Sequence, residues 1–152
     1  MEGDAPSARR LIDAERRVHR ILRAQFTDAL WDLGTSFARV EVMELLHEAV
    51  QLHPGEIGRR LLITRQSATH LVRQLERASL VETWRLEGGS VGVRLTKTGR
   101  EGMVHCFDAL RPTFDLIEAL DEDRRSRLMQ DLRAWEDALR PRLLPWWVKD
   151  PF

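Results

Sequence analysis

The stretch that begins at Pro54 constrains this chain more than any other part of it. It reads PGEIGRRLLITRQSATHLVRQLERASLVETWRL and closes on VRLTKTG. Pro54 suits the first turn of a helix, where its missing N–H would have had no partner, and Ile57 with Leu61 then forms one apolar stripe. Thr64 has the side chain to cap a second helix, on which Ala68, Leu71, Val72 and Leu75 fall on a single face. Leu62 and Ile63 leave room only for a sharp turn, so the two helices must cross steeply. The outer face of the second helix carries Arg65, Gln66, Ser67, Thr69, His70, Arg73 and Arg77, each able, like Thr64 at the helix start, to contact a phosphate or a base edge.

Two β-compatible runs follow, Leu80 to Glu87 and Val91 to Lys97, around Gly88-Gly89, a pair suited to a tight hairpin. Two short helices and a hairpin in this order make a winged helix-turn-helix, with Arg85 and Arg94 on the strands of the wing. A major groove admits one α-helix; Gln pairs with adenine, Arg with guanine, and Ser or Thr with either. Residues near the N-terminal end of such a helix reach deepest, which makes Gln66, Ser67 and His70 the expected base readers. Arg73 and Arg77, a turn or more further on, suit phosphates, and Arg65 suits either role.

A net charge of zero in 152 residues argues against nucleic acid at first sight. The charge is unevenly spread, however. Residues 54 to 100 hold nine Lys and Arg against four Glu, an excess of five that the remainder must cancel. A basic reading module on an acidic body is the asymmetry expected of a surface that neutralises phosphates. With 43% apolar and 32% charged residues, the chain can build a core of its own, so we expect one domain over 1–152. MEGDAPSARR has no signal-peptide character, no apolar run nears the ~20 residues that span a bilayer, and the single Cys106 cannot pair internally. These features fit a cytoplasmic protein with no membrane contact.

The flanks read as helices. Over 8–33, Leu11, Val18, Leu22, Phe26, Leu30 and Leu33 form a stripe widened by Ile12, Ile21 and Trp31, until Gly34 ends it. Asp121 can cap a helix through Leu128, Leu132, Trp135 and Leu139. Long apolar stripes at both ends of a small reading head predict a dimerisation layer, 8–33 with 99–152, around a winged segment spanning 36–97. The fold class is mainly α (α+β). Trp146, Trp147 and Phe152 are too apolar for a free tail and are expected to pack on that layer.

The succession PGEIGRRL, TRQSATHLVRQLERASLVE and VRLTKTGRE resembles the MarR family of bacterial transcription regulators. In that family a recognition helix is followed by an L-x-x-x-G-L-V strand entry and an L-T-x-x-G return into helix; here Ser79 stands where the glycine is usual. The resemblance runs more loosely over nearly the whole chain. It implies a homodimer that binds a pseudo-palindromic operator on double-stranded DNA, commonly as a repressor released by a small ligand. The family's wing normally carries an acid followed by arginine near its tip. Here those positions fall on Glu87, Gly88 and Gly89, so the acid is kept and the arginine is lost.

In proteins of this kind, ligands bind where the dimerisation helices meet the winged domain. Phe26, Trp31, Phe37, Met43, Met103 and Phe107 would line that region, with Arg39 available to an anion, a setting for a small aromatic or phenolic effector; plain core or dimer interface is the competing assignment for each. Cys106 lies in an apolar helical stretch beside His105, which suits a buried, inert thiol better than a redox sensor, and peroxide-sensing relatives place their cysteine near the first helix. Some relatives bind zinc, but His19, His47, His53, His70 and His105 include no pair at helical ligand spacing, so no metal and no other cofactor is expected. No nucleophile or phosphate-loop motif points to an enzyme. The alternative is a winged helix that binds protein and not DNA, an idea the bare wing tip sustains.

Overall fold

The computed structural model describes residues 7–140. Their element order is α1 (Ala8–Trp31), α2 (Phe37–Ala49), α3 (Pro54–Leu61), α4 (Arg65–Arg77), β1 (Val81–Arg85), β2 (Val91–Leu95), α5 (Lys97–Glu118) and α6 (Glu122–Leu139). Trp146, Trp147 and Phe152 lie outside the described residues.

Most helix starts follow the expected caps. The Thr64 hydroxyl accepts from the Ser67 N–H at 3.0 Å, and the Asp121 carboxylate accepts from the Arg124 N–H at 2.9 Å. At the start of α3, the Glu56 carboxylate reaches back to the His53 N–H at 3.0 Å and satisfies a donor that the helix leaves open. Helix α1 ends two residues before the expected Leu33, because the chain turns through Leu33 and Gly34, with Gly34 at φ 61°.

Both strands are shorter than the runs Leu80 to Glu87 and Val91 to Lys97. Leu80 belongs to the close of α4, where its N–H donates to the Leu75 carbonyl at 2.9 Å and that of Ser79 to Glu76 at 2.9 Å. This is a Schellman close, and it holds Ser79 at φ 58°, the left-handed conformation glycine adopts most cheaply. At the far end Thr96 leaves β2 to cap α5, accepting from the Gly99 N–H at 2.9 Å and donating to the Ser79 carbonyl at 2.8 Å. The connection is likewise longer than Gly88-Gly89 alone. It runs from Leu86 to Ser90, closed by the Leu86 N–H on the Ser90 carbonyl at 2.8 Å, with both glycines at positive φ.

Leu30, Val40, Met43, Leu46, Ile57, Leu75, Val93 and Leu110 fill the core, drawn from α1, α2, α3, α4, β2 and α5. The wing is anchored to it by a bridge between Leu52 and Val93, with backbone bonds of 3.0 and 2.9 Å. The stripe of α1 reaches the core only from Phe26 onward. Leu11, Ile12, Val18 and Ile21 remain exposed, as do Val104, Leu116, Ile117 and Leu120 in and after α5 and Leu128, Met129, Leu132 and Leu139 on α6. None of the residues of α6 is buried.

Candidate nucleic-acid interface

Helix α4 is seated by its inner face and exposes its outer one. Ala68, Val72 and Leu75 are buried, which turns Arg65, Gln66, Ser67, His70, Arg73 and Arg77 to the surface, with Thr69 half-buried. The steep crossing from α3 depends on Gly58. Its position is so close to the turn that a Cβ would lie 2.9 Å from the Ile63 carbonyl oxygen. Leu62 completes the turn in the left-handed region at φ 56°. Arg59 from α3 and Arg65 and Arg73 from α4 border one open groove with Gln66, Ser67 and His70, so the cations and the expected base readers share a surface.

The side chains on this face are not equally available. The Thr64 hydroxyl donates to the Ser67 hydroxyl at 2.8 Å, which leaves the Ser67 O–H to donate outward while the cap holds its oxygen in place. His70 is exposed but engaged: its Nε2 lies 2.8 Å from the Gln74 side-chain nitrogen. Gln74 in turn accepts from the Arg39 Nε–H at 3.0 Å through its side-chain oxygen.

On the wing, Arg85 is exposed, whereas Arg94 is committed within the sheet. Its Nε donates to the Glu82 carboxylate at 2.6 Å, Glu82 being its partner across the strands, and its guanidinium lies 5.0 Å from the Trp84 ring centre. A phosphate contact from Arg94 would come from its terminal guanidinium nitrogens, the Nε–H being held by Glu82. Trp84, Gly92, Glu76 and Gln74 escaped notice in the sequence. Thr83 donates to Glu76, and His53 Nδ1 lies 2.9 Å from the Val91 carbonyl, so the wing is fastened to both α4 and the start of α3. The spacing of a glycine opposite an aromatic across a hairpin was the available signal for the Trp84–Gly92 pair.

Of the residues expected around an effector, Phe26, Phe37, Met43, Met103 and Phe107 lie in or against one core. Phe26 and Phe37 stack at 4.4 Å, Phe114 meets Phe26 edge-on at 6.1 Å, and Phe107 lies 6.5 Å from Phe114. Met43 and Met103 are buried in the core. Trp31 stands apart, 76% exposed, in a surface cleft with Arg20, Arg23 and Thr27. Arg39 is tied to Gln74 and to the Gly34 carbonyl at 3.1 Å.

Cys106 is buried and burial pushes its thiol pKa up, the reverse of a reactive thiolate. Glu41, which borders the α4 groove, is also raised, first by burial and then by the neighbouring Glu44 carboxylate. Among the described residues no group of three or more His, Cys, Asp or Glu converges to hold a metal ion, and no helix is long and apolar enough to cross a membrane.

No family model and no curated protein matches the sequence. Solved structures do. The chain is similar to Sco5413, a MarR family transcriptional regulator from Streptomyces coelicolor, at 26% identity and a TM-score of 0.76, over 86% of this chain and 94% of that one. AbsC, a MarR family transcriptional regulator from the same organism, matches at 19% identity and 0.74, covering 91% and 99%. Wild-type MarR from E. coli matches at 20% and 0.68, covering 87% and 98%. Among the described residues, the six helices and the two-stranded wing match the winged helix fold of these structures. In architecture, the chain has the winged helix-turn-helix fold of the MarR family transcriptional regulators it resembles.

Proposed function

We propose that the protein is a sequence-specific, DNA-binding transcriptional regulator that grips a pseudo-palindromic operator as a homodimer. The observation that carries this is the outer face of α4, where Arg65, Gln66, Ser67, His70 and Arg73 lie exposed beside Arg59 on one surface over a rigidly packed inner face. Arginines and an amide on one protruding helix, with a hydroxyl and an imidazole between them, suit phosphates and base edges in a major groove. The wing adds Arg85, while Arg94 is held by Glu82.

Dimerisation is supported by apolar side chains that the single chain leaves uncovered. The N-terminal half of α1 and the length of α6 together expose Leu11, Ile12, Val18, Ile21, Leu128, Met129, Leu132 and Leu139. Soluble monomers rarely present patches of that extent. A two-fold axis through this layer would offer two copies of α4 to successive major grooves, so half-sites should be inverted repeats centred roughly 10 bp apart.

A small aromatic or phenolic effector would act as the releasing ligand. Arg39, the cation expected to receive it, already donates to Gln74 on α4, so an anion bound there would compete directly with a contact to the reading helix. That competition supplies a route from effector to DNA.

Selection of bound fragments from the source genome, followed by footprinting, tests the reading. Protected inverted repeats at the stated spacing support it. Direct repeats, half-sites separated by half a turn, or an absence of selected sites would refute it, the last outcome favouring a protein-binding winged helix.

A further inference from the structure

Three side chains on α2 and α4 form a hydrogen-bonded relay whose direction is fixed by chemistry. The Arg39 guanidinium is held at one end by the Gly34 carbonyl at 3.1 Å, and its Nε lies 3.0 Å from the Gln74 side chain. Guanidinium N–H groups only donate, so the atom facing Arg39 must be the Gln74 oxygen. The Gln74 NH2 then faces His70 Nε2, at 2.8 Å. An amide nitrogen also only donates, so Nε2 of His70 must accept, and the ring proton of the neutral imidazole must sit on Nδ1. Rotating the Gln74 amide would set donor against donor at Arg39, so the arrangement has no equivalent alternative.

We propose that Arg39 and Gln74 are positioning residues that make His70 a donor-only reader of DNA. This rests on the DNA-binding function given above. With Nε2 occupied, the group His70 can offer to a base edge is the Nδ1–H. Guanine N7 and O6, adenine N7 and thymine O4 accept such a donor in the major groove, while cytosine presents its N4 amino group, itself a donor. His70 therefore discriminates against cytosine at the base it faces. An unrestrained neutral histidine could present either a donor or an acceptor there, so the relay turns an ambiguous side chain into a selective one. Because the relay begins at the Gly34 carbonyl, the α1–α2 corner contributes to base choice without touching DNA.

Long-range nitrogen–proton NMR of the full-length free protein at mildly alkaline pH reads the tautomer directly, the His70 signals being assigned by their loss in His70→Asn. The wild type should show the Nδ1-protonated pattern. Gln74→Glu, whose carboxylate accepts from both neighbours, should move the proton to Nε2, and Gln74→Met should release the preference. Arg39→Lys, still a donor, should retain the wild-type pattern where Arg39→Met does not. Selection on randomised duplexes should then show cytosine disfavoured about fivefold at one position per half-site in the wild type, the value of one hydrogen bond, and the bias lost in Gln74→Met without a change in thermal stability. An Nε2-protonated His70 in the wild type, or a base profile identical in wild type and Gln74→Met, would overturn the proposal. Failure to bind any duplex while the Nδ1-protonated pattern is kept would overturn the role in reading together with the DNA-binding function, and the tautomer result would show that the relay itself was not at fault.

Discussion

Trp84 and Gly92 face each other across the wing, and the indole occupies the place a side chain at position 92 would take. A Cβ there would lie 2.6 Å from two atoms of the ring. Gly92 is thus what lets Trp84 lie close over the partner strand with Arg94 beside it. Gly92→Ala should push the indole out and cost about 1–3 kcal/mol, in the range of overpacked cores. Chemical denaturation measures the loss; a stability within about 0.5 kcal/mol of wild type would show that the pair is not tightly fitted.

Ser79 provides the opposite case. It adopts φ 58° at the close of α4, with the two Schellman bonds formed around it. Glycine adopts that conformation without the Cβ conflict, at some cost in unfolded-state entropy. Ser79→Gly should therefore stabilise the protein by about 0.5–1 kcal/mol. A lowered melting temperature would contradict the assigned backbone.

Gly99 and Thr96 explain the second motif in the same terms. A Cβ at Gly99 would fall 1.9 Å from the Leu80 carbonyl oxygen, a backbone atom with nowhere to go. Gly99→Ala should cost about 2–4 kcal/mol, more than the ~1 kcal/mol expected of Thr96→Ala, which removes a helix cap. Reversal of that order in thermal denaturation would show that α5 can pull away from the wing.

Which parts of this were legible in the sequence follows from the range of the forces involved. Thr64 and Asp121 announce helix starts because a cap is a local bond, and the buried face of α4 follows from spacing alone. The succession around Leu80 and Leu95 carried the fold because each motif residue solves a local backbone problem. The strand ends were misjudged because Leu80 and Thr96 are β-compatible side chains used by neighbouring helices. The pairing of Arg94 with Glu82 was not legible because it is set by cross-strand register, nor was the exposure of Leu11, Ile12, Val18 and Ile21, because helix periodicity does not say which end of a stripe meets the core. The relay through Gln74 joins residues 35 apart in sequence, and no local pattern points to it.

Glu41 predicts a pH dependence. Burial and Glu44 raise its pKa in the folded state above the ordinary value of 4.5. The folded protein therefore holds this proton more tightly than the unfolded chain, and stability attributable to the group falls as pH rises from about that value through the raised one. Glu41→Gln should flatten this decline and be the more stable protein at neutral pH. It should also tighten DNA binding, since a negative charge leaves the groove beside Arg73. An unchanged pH profile of the melting temperature would sink the assignment.

Cys106 should be inert. Buried and raised in pKa, its thiol should remain unmodified by mild peroxide in the native protein, as read by intact mass. Rapid sulfenic acid formation would require α5 to open in solution.

In the proposed DNA-binding role, the exposed face of α4 neutralises phosphates. Binding to a selected duplex, followed against salt concentration, tests it most directly, because each phosphate contact contributes about −0.9 to the slope of log K against log salt. The arrangement predicts a slope of about −5 or steeper for the dimer, made shallower by about two units in Arg73→Ala, one contact per half-site, and little altered in Arg94→Ala, whose guanidinium is already held by Glu82. A flat salt dependence, or an Arg94→Ala effect as large as that of Arg73→Ala, would contradict it.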